Sequence, residues 1–323
     1  MVSLNEHIKT LGKLDLTAMV LMYGANRVIS TLSSSKNMLR HGGGRYFKWK
    51  YGDVYYTKTG EGSPIVLLHN VDPANSGYEW SDVVETLSKK NTVYTIDLPG
   101  CGRSAKPKMT YTNYFYVLFL TDFIKKVVKK KTDVIADAYS SSFAIMAASL
   151  DTSLIHHITA VNPYSIGKLM QTENTSSKLG SVLLNLPVLG TFLYNIDVSH
   201  NNIDYHYTEN YFYNPFRSND RFVDADYEAS HYGEGKGKYL MSSVKGLYMT
   251  VNIKKALSKL GDKVTILYGE GIDHSKNIMA EYTKIDPDIR TYRISKAKYI
   301  PMMECPREFL AAYKKSLAER SFS

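Results

Sequence analysis

The chain has 323 residues with a net charge of +9, and 44% of its residues are hydrophobic. This composition excludes a disordered chain and predicts a sizeable core, in one large α/β domain with an inserted subdomain or in two ordinary domains. Two cysteines, Cys101 and Cys305, exclude a disulfide framework and favour a reducing, cytoplasmic environment. No nucleic-acid motif accompanies the densest basic run, residues 125–131, so we interpret the charge as a solvated surface and predict no nucleic-acid partner.

Residues 1–45 predict an N-terminal helical extension. The stretch Leu14–Leu32 is rich in apolar residues, but its uninterrupted part, Leu16–Ala25, is shorter than the ~20 residues that span a bilayer. Lysines before it also fit a signal peptide, an interpretation that Asp15 disfavours. We expect an amphipathic helix that packs on the domain, and the alternative is contact with a membrane surface, which would make the cytoplasmic protein membrane-associated.

Short apolar strands then alternate with helical patterns, beginning with a predicted hairpin of Tyr46–Lys50 and Asp53–Thr57. Buried-strand runs recur at residues 64–68, 92–96, 134–136, 157–161 and 264–268. The alternation favours a mostly parallel sheet with helices on both faces. Residues 164–260 interrupt it and are helical in places and rich in tyrosine, so they predict a cap inserted between core segments 46–163 and 261–323. The tyrosines are expected to line a pocket or to pack in a core.

Two turn motifs follow the first buried strands. Leu67-Leu68-His69-Asn70 ends the first strand, and Asp97-Leu98-Pro99-Gly100-Cys101-Gly102-Arg103-Ser104 follows the next one. The second motif has the pattern Asp-x-x-Gly-x-Gly-x-Ser, in which the glycines permit backbone angles that other residues resist. This motif therefore predicts a structural turn and carries no chemistry of its own.

A strand, a tight turn and a helix are predicted to meet at Ala138-Tyr139-Ser140-Ser141-Ser142. A nucleophile elbow needs small residues two positions before and two positions after its serine, because the strained turn crowds them. Both ends of this run are small, which predicts Ser140 as the nucleophile. A frame with Tyr139 at the apex is disfavoured because bulky Asp137 would then be a flank. The remaining interpretation is that the serines only cap the helix.

These motifs, and the order in which they occur along the chain, resemble those of the α/β-hydrolase superfamily over about residues 46–318. Two shorter segments, Tyr78–Trp80 and Thr110–Tyr114, are similar to some clostridial-type hydrolase-like proteins. The resemblance implies an α/β-hydrolase fold with an inserted helical cap. It implies that Asp273, or Glu270 in its place, is the triad acid. Members of the family carry the base in a His-x-Pro-x-x-Glu-x-Pro loop. The segment Tyr299-Ile300-Pro301-Met302-Met303-Glu304-Cys305-Pro306 matches that loop with tyrosine in the place of histidine.

The resemblance also implies an oxyanion site beside the elbow. The donors are predicted to be the backbone amides of Ser141 and Val71, with the side-chain amide of Asn70 as a further donor. The predicted oxyanion and binding residues are Asn70, Val71, Tyr139, Ser141 and His69. No motif places His69 or His274 within reach of the nucleophile, so neither is favoured as a substitute base.

Three functions remain open on these residues. The first is hydrolysis of an ester or amide of a lipophilic small molecule by Ser140, with Asp273 and Tyr299 in a non-standard triad. The reference pKa of tyrosine, about 10, makes it a poor base at neutral pH. The second is therefore a ligand-binding pseudoenzyme, and the third is a lyase or isomerase in which Tyr299 donates a proton. No metal and no cofactor are predicted, because the sequence has no ligand cluster and no phosphate-binding glycine loop.

Overall fold

The computed structural model describes residues 4–33, 37–39 and 43–320, with side chains from residue 16 onward. Residues 1–3, 34–36 and 40–42 of the predicted N-terminal extension lie outside the described residues. The strands are β1 Arg45–Trp49, β2 Gly52–Thr59, β3 Ser63–Leu68, β4 Asn91–Ile96, β5 Thr132–Asp137, β6 Ile155–Val161, β7 Val264–Gly269 and β8 Arg290–Ile294.

The helices are α1 Leu4–Leu32, α2 Ser81–Ser88, α3 Asn113–Phe123, α4 Tyr139–Leu150, α5 Ile166–Leu169, α6 Thr175–Asn185, α7 Val188–Asp197, α8 His200–Tyr205, α9 Asp220–His231, α10 Lys238–Lys245, α11 Lys254–Leu257, α12 Ser275–Ile285, α13 Pro301–Glu304 and α14 Pro306–Arg320. Single 3₁₀ turns lie at Gly77–Trp80, Pro215–Arg217 and Gly261–Lys263, and π-helical turns at Ile124–Val128 and His206–Tyr211.

In the described part of the chain, eight strands form one sheet in the order β1-β2-β4-β3-β5-β6-β7-β8. β1 and β2 form the predicted antiparallel hairpin, and every pairing from β4 to β8 is parallel. The mostly parallel sheet predicted from the alternating pattern is therefore confirmed. Its interior strands are covered on both faces, as their continuous apolar sequences require.

Two buried apolar clusters lie on the two faces of this sheet. One includes Phe119 and Phe143, from α3 and α4, and the other includes Trp80 and Phe309, from the turn before α2 and from α14. All four side chains are fully buried. Because each cluster packs against alternate residues of the same strands, the carboxyl ends of the strands are held in a fixed mutual register.

The Asp97–Ser104 motif is a structural turn after β4, as predicted. Arg103 donates from Nε to Asp97 Oδ2 at 2.6 Å, and its guanidinium, through Coulomb attraction and hydrogen bonds, holds the pKa of that carboxyl below its usual range. Gly102 has φ +46°, and a Cβ there would lie 2.4 Å from Asp97 Oδ2, so only glycine fits. Ser104 Oγ accepts from Tyr55 N at 2.9 Å and so ties the turn to β2.

The stretch between β6 and β7 contains α5 to α11. α6 packs on α10 and on α7, and α7 packs in turn on α1. Asn26 Nδ2 donates to Val188 O at 3.3 Å, and Asn195 Nδ2 donates to Asn26 Oδ1 at 2.8 Å. The N-terminal helix therefore contacts the inserted helices.

Candidate functional site

A cavity of about 500 Å³ lies at the carboxyl ends of the parallel strands, where ligands bind in open α/β sheets. The residues that follow β3, β5, β6 and β7 line its floor. Its walls are formed by α12, by residues 163–168 and by the π-helical turn His206–Tyr211. The register explains this convergence: Leu68 of β3 pairs with Ala136 of β5, so the residues just beyond both strands come together.

The apex of the turn between β5 and α4 is Ala138. Its backbone has φ +44° and ψ −114°, which is strained for a residue with a Cβ, and its side chain lines the cavity. The prediction that Ser140 occupies this apex is wrong. Ala136 and Ser140 are the small residues that flank the turn, and the true frame lies two positions earlier than the predicted one. A methyl group therefore stands where the superfamily carries its nucleophile.

The three serines that follow have structural roles in the first turn of α4. Ser140 is fully buried, does not line the cavity and donates its hydroxyl hydrogen to His69 O. Ser141 Oγ donates to Ala136 O at 2.7 Å, and Ser142 Oγ donates to Tyr139 O at 2.6 Å. Ser141 N donates to Ala138 O at 3.2 Å, so its predicted role as an oxyanion donor is also wrong.

The oxyanion position is filled by the side chain of Asn70. Its Oδ1 accepts from Val71 N at 2.8 Å and from Tyr139 N at 3.3 Å, and Tyr139 is the residue directly after the apex. These are the amides that an apex at Ala138 would use for an oxyanion. Asn70 is therefore an acceptor that occupies the two donors, and the prediction that it donates to an oxyanion is wrong.

Neither candidate histidine is placed to act as a base in the cavity. His69 is fully buried, its Nδ1 lies 2.6 Å from Asn70 O, and its Nε2 accepts from Leu98 N at 3.0 Å. Burial lowers the pKa of His69 to about 4, so the ring is neutral and both nitrogens are engaged. His274 is exposed at the start of α12 and does not line the cavity.

Asp273 and Tyr299 both line the cavity. Burial, and then the charge of Asp273, raises the pKa of Tyr299, so its hydroxyl stays protonated at neutral pH and can donate a hydrogen bond. Among the described residues, no hydrogen bond joins the two side chains. The alternative acid, Glu270, accepts from Lys296 N at 3.1 Å and from Arg293 Nη1 at 3.4 Å, which are local contacts of its own loop.

Asn162, which the sequence did not single out, positions the loop that carries Tyr299. Its Nδ2 donates to Tyr299 O at 2.7 Å and to Lys298 O at 3.0 Å, while its Oδ1 accepts from Gly269 N at 2.9 Å. One side chain at the end of β6 thus joins the end of β7 to the Tyr299 loop.

Two buried carboxyl groups, which the sequence pattern does not indicate, also line the cavity. Glu79 is 3% exposed and Asp137 is 2% exposed. Both carboxyl oxygens of Glu79 and Oδ1 of Asp137 have no hydrogen-bond partner among the described residues. Burial raises the pKa of both groups well above the usual range. For Glu79 the nearby charges of Asp137 and Asp226 add to the effect, and the backbone amide of Asn70 opposes it. In the sequence Asp137 is only a bulky flank of a disfavoured frame, and no local signal distinguishes Glu79 from a surface acid.

Among residues 4–33, 37–39 and 43–320, no three His, Cys, Asp or Glu side chains are grouped so as to hold a metal ion. Aromatic residues complete the lining instead, namely Tyr164, Tyr211, Tyr268 and Tyr299. Tyr211 comes from the tyrosine-rich insertion, whose tyrosines also include the fully buried Tyr194 and Tyr207. The insertion thus supplies both a pocket wall and a core.

A family model for the alpha/beta hydrolase fold matches residues 64–188. The chain is 27% identical over 106 residues to 2-hydroxy-6-oxo-6-(2'-aminophenyl)hexa-2,4-dienoic acid hydrolase of Metapseudomonas resinovorans, a match that covers 32% of this chain and 37% of the relative. It is 29% identical over 105 residues to the soluble epoxide hydrolase of Corynebacterium sp. (strain C12), a match that covers 32% of this chain and 36% of the relative. The matches thus span little more than a third of either relative.

Solved structures extend the likeness to the whole fold. The epoxide hydrolase CorEH without ligand superposes with a TM-score of 0.71 at 19% identity, over 85% of this chain and 98% of that one. A membrane phospholipase A described as a bacterial virulence factor superposes with a TM-score of 0.69 at 14% identity, over 98% of this chain and 99% of that one. The fold and the ordered motifs thus define an α/β-hydrolase-fold protein.

Proposed function

We propose that this protein binds a small molecule in the cavity and does not hydrolyse it by serine catalysis. One observation carries the proposal: the apex is Ala138, and Asn70 Oδ1 occupies the amides that would stabilise an oxyanion. The cavity itself is retained, and its volume of about 500 Å³ is typical of sites for small ligands. A superfamily scaffold that keeps its pocket and lacks its nucleophile is best suited to binding.

The carboxyl of Asp137, one residue before the apex, does not replace the nucleophile. Burial raises its pKa well above the usual range, so the group keeps its proton and is a weak nucleophile. The apolar and aromatic lining, which includes Ile272, Ile278 and Met279, favours a ligand with a lipophilic part.

A second candidate function is proton transfer, as in a lyase or isomerase. The observation that favours it is that Tyr299, Glu79 and Asp137 line one cavity. Burial raises the pKa of each of these groups, so each carries a proton at neutral pH. This function needs no nucleophile at the elbow.

Dialysis against a small-molecule extract tests binding and distinguishes it from both kinds of catalysis. We expect the wild-type protein to retain one or a few compounds, detected unchanged by mass spectrometry after denaturation. Ile278→Trp, which fills the cavity from α12, is expected to lose them while keeping its melting temperature. Consumption of a compound with stoichiometric appearance of hydrolysis products, lost in Ile278→Trp, would overturn the proposal. Appearance of an isomer or an elimination product would favour the second candidate.

We also propose that α1 contacts an anionic membrane surface. Its outward side chains are exposed, with Leu16, Val20, Leu21 and Leu32 more than 60% accessible. The neighbouring insertion adds exposed apolar side chains on α6, among them Leu179 and Val182, and the chain carries a net charge of +9. Within the described residues no single helix has the length and apolar character of a membrane span, while α6 and α7 have them only as a pair bent by 108°.

Co-sedimentation with liposomes tests this contact. We expect the full chain to sediment with phosphatidylglycerol vesicles and to be released by high salt, because surface charge contributes to the attraction. Leu16→Gln/Leu21→Gln is expected to reduce the bound fraction severalfold. The matched double variant Leu150→Gln/Tyr114→Gln, which changes exposed positions outside α1, should not change the bound fraction. Equal binding by both double variants would refute the role of α1.

A further inference from the structure

The floor of the cavity presents three buried acceptor atoms that receive no hydrogen bond of ordinary geometry from the described residues. They are Oε1 and Oε2 of Glu79 and Oδ1 of Asp137. A buried acceptor without a donor loses its hydrogen bonds to water and gains none in return, which is unfavourable. Both residues line the cavity, so a ligand that enters it can supply the missing donors.

The lining also contains more acidic than basic side chains. Asp72 and Asp273 line the cavity together with Glu79 and Asp137, while the basic side chains in the lining are Lys168 and His206. The Lys168 ammonium lies 3.4 Å from the centre of the Tyr164 ring, and within the described residues it makes no ion pair. The aromatic wall is thus already compatible with a cation over its face.

We propose that the ligand carries a protonated amine whose N–H groups bind Glu79 and Asp137, with its lipophilic body against the tyrosine-lined wall. This inference rests on the proposed binding function and specifies its ligand class. An ammonium group offers as many as three donors, which matches the three unsatisfied oxygens.

A cation explains why two carboxyl groups lie together in an apolar floor. Without a ligand the pair keeps its protons, because two adjacent negative charges in a buried site repel each other. An ammonium ion favours the ionised forms and converts the unpaired acceptors into charge-assisted hydrogen bonds. A neutral alcohol of the same shape offers one donor and no charge, so it gains much less.

Isothermal titration calorimetry with paired probes tests the inference. The probes are benzylammonium, 2-phenylethylammonium and cyclohexylammonium, each compared with the alcohol in which a hydroxyl replaces the ammonium. We expect at least one ammonium ion to bind at least about 10-fold more tightly than its alcohol, the difference expected for a buried charge-assisted contact. Glu79→Gln and Asp137→Asn should each remove most of that preference.

Two further variants serve as matched controls. Glu228→Gln makes the same substitution at a buried carboxyl that accepts from Met38 N outside the cavity, and should leave the affinities unchanged. Lys168→Gln removes a like charge from the cavity wall and should strengthen ammonium binding about threefold or more. Circular dichroism melts establish that each variant is folded.

The outcomes separate this inference from the proposed function. Equal binding of ammonium ions and alcohols, or ammonium binding unchanged by Glu79→Gln and Asp137→Asn, would overturn the ligand class while leaving a binding protein. Failure of all three ammonium ions to bind, while the protein retains a neutral or anionic compound from the extract, would overturn the ligand class alone. Failure of both experiments would overturn the proposed function as well.

Discussion

Ala138→Ser, combined with Asn70→Gly and Tyr299→His, is expected to create an esterase. The first substitution places a hydroxyl at the strained apex, where Ala138 now has φ +44°. The second removes the Asn70 oxygen from the amides of Val71 and Tyr139, and so reopens an oxyanion site. The third supplies a base on the loop that lies beside Asp273. We expect hydrolysis of 4-nitrophenyl acetate at least about 100-fold above the wild-type rate, a typical contribution of a positioned base.

Single variants identify which residue is responsible. Tyr299→His alone is expected to remain at the wild-type rate, because it provides a base without a nucleophile. Ser140→Ala in the triple background should leave the new activity unchanged apart from a stability loss, since Ser140 bonds His69 O and does not line the cavity. Loss of the new activity in a folded Ser140→Ala variant would show that the apex has been assigned to the wrong residue.

Asp226→Asn is expected to make the protein more stable above neutral pH. Asp226 Oδ2 accepts from Tyr207 Oη at 2.8 Å, and burial raises the pKa of this carboxyl from 3.8 to about 8. The folded state therefore holds a proton that the unfolded state releases near pH 4. The stabilisation is complete below that pH and is lost as the pH rises to about 8. Each pH unit in this window removes about 1.4 kcal/mol, a total of roughly 6 kcal/mol.

Urea unfolding between pH 5 and pH 9 measures this effect. The free energy of unfolding should fall more steeply with pH in the wild type than in Asp226→Asn, and the variant should be the more stable of the two at pH 9. Tyr207→Phe is the control, because it removes a hydrogen bond yet keeps the buried carboxyl, so its pH slope should remain. Parallel curves for the wild type and Asp226→Asn would contradict the protonated state of Asp226.

Much of the fold follows from local sequence signals. The Asp97–Ser104 turn needs glycine at Gly100 and Gly102, where φ is +92° and +46°, and its pattern carries the resemblance to the α/β-hydrolase superfamily. The alternation of apolar runs with helical patterns predicted the parallel sheet, because strands covered on both faces need continuous apolar sequence.

The predicted elbow lies two positions too late in the chain because its sequence signal fits more than one frame. Ala136, Ala138, Ser140 and Ser142 are all small and spaced by two, so more than one frame satisfies the steric rule. Only the backbone angles at Ala138 select the frame. A preference for a hydroxyl at the apex favoured Ser140, although a superfamily member without its base need not retain its nucleophile.

The placements of Asn70 and Glu79 were not predicted because they depend on contacts between residues that are far apart in the sequence. Leu68 of β3 pairs with Ala136 of β5. This pairing brings the side chain of Asn70, two residues after Leu68, close to Tyr139 N, and Asn70 therefore fills the oxyanion position. Glu79 lies in a 3₁₀ turn and is buried near the charge of Asp137, which is distant from it in the sequence. Neither placement is contained in the local pattern of residue types.

Fluorophosphonate labelling followed by intact-protein mass spectrometry tests the central claim most directly. The wild type and Ser140→Ala should both remain unlabelled, because the elbow presents the methyl group of Ala138 and Ser140 is fully buried. Ala138→Ser/Asn70→Gly/Tyr299→His should gain one adduct on the introduced hydroxyl. A stoichiometric adduct on wild-type Ser140, absent from Ser140→Ala, would contradict the claim that this scaffold binds its ligand without serine catalysis.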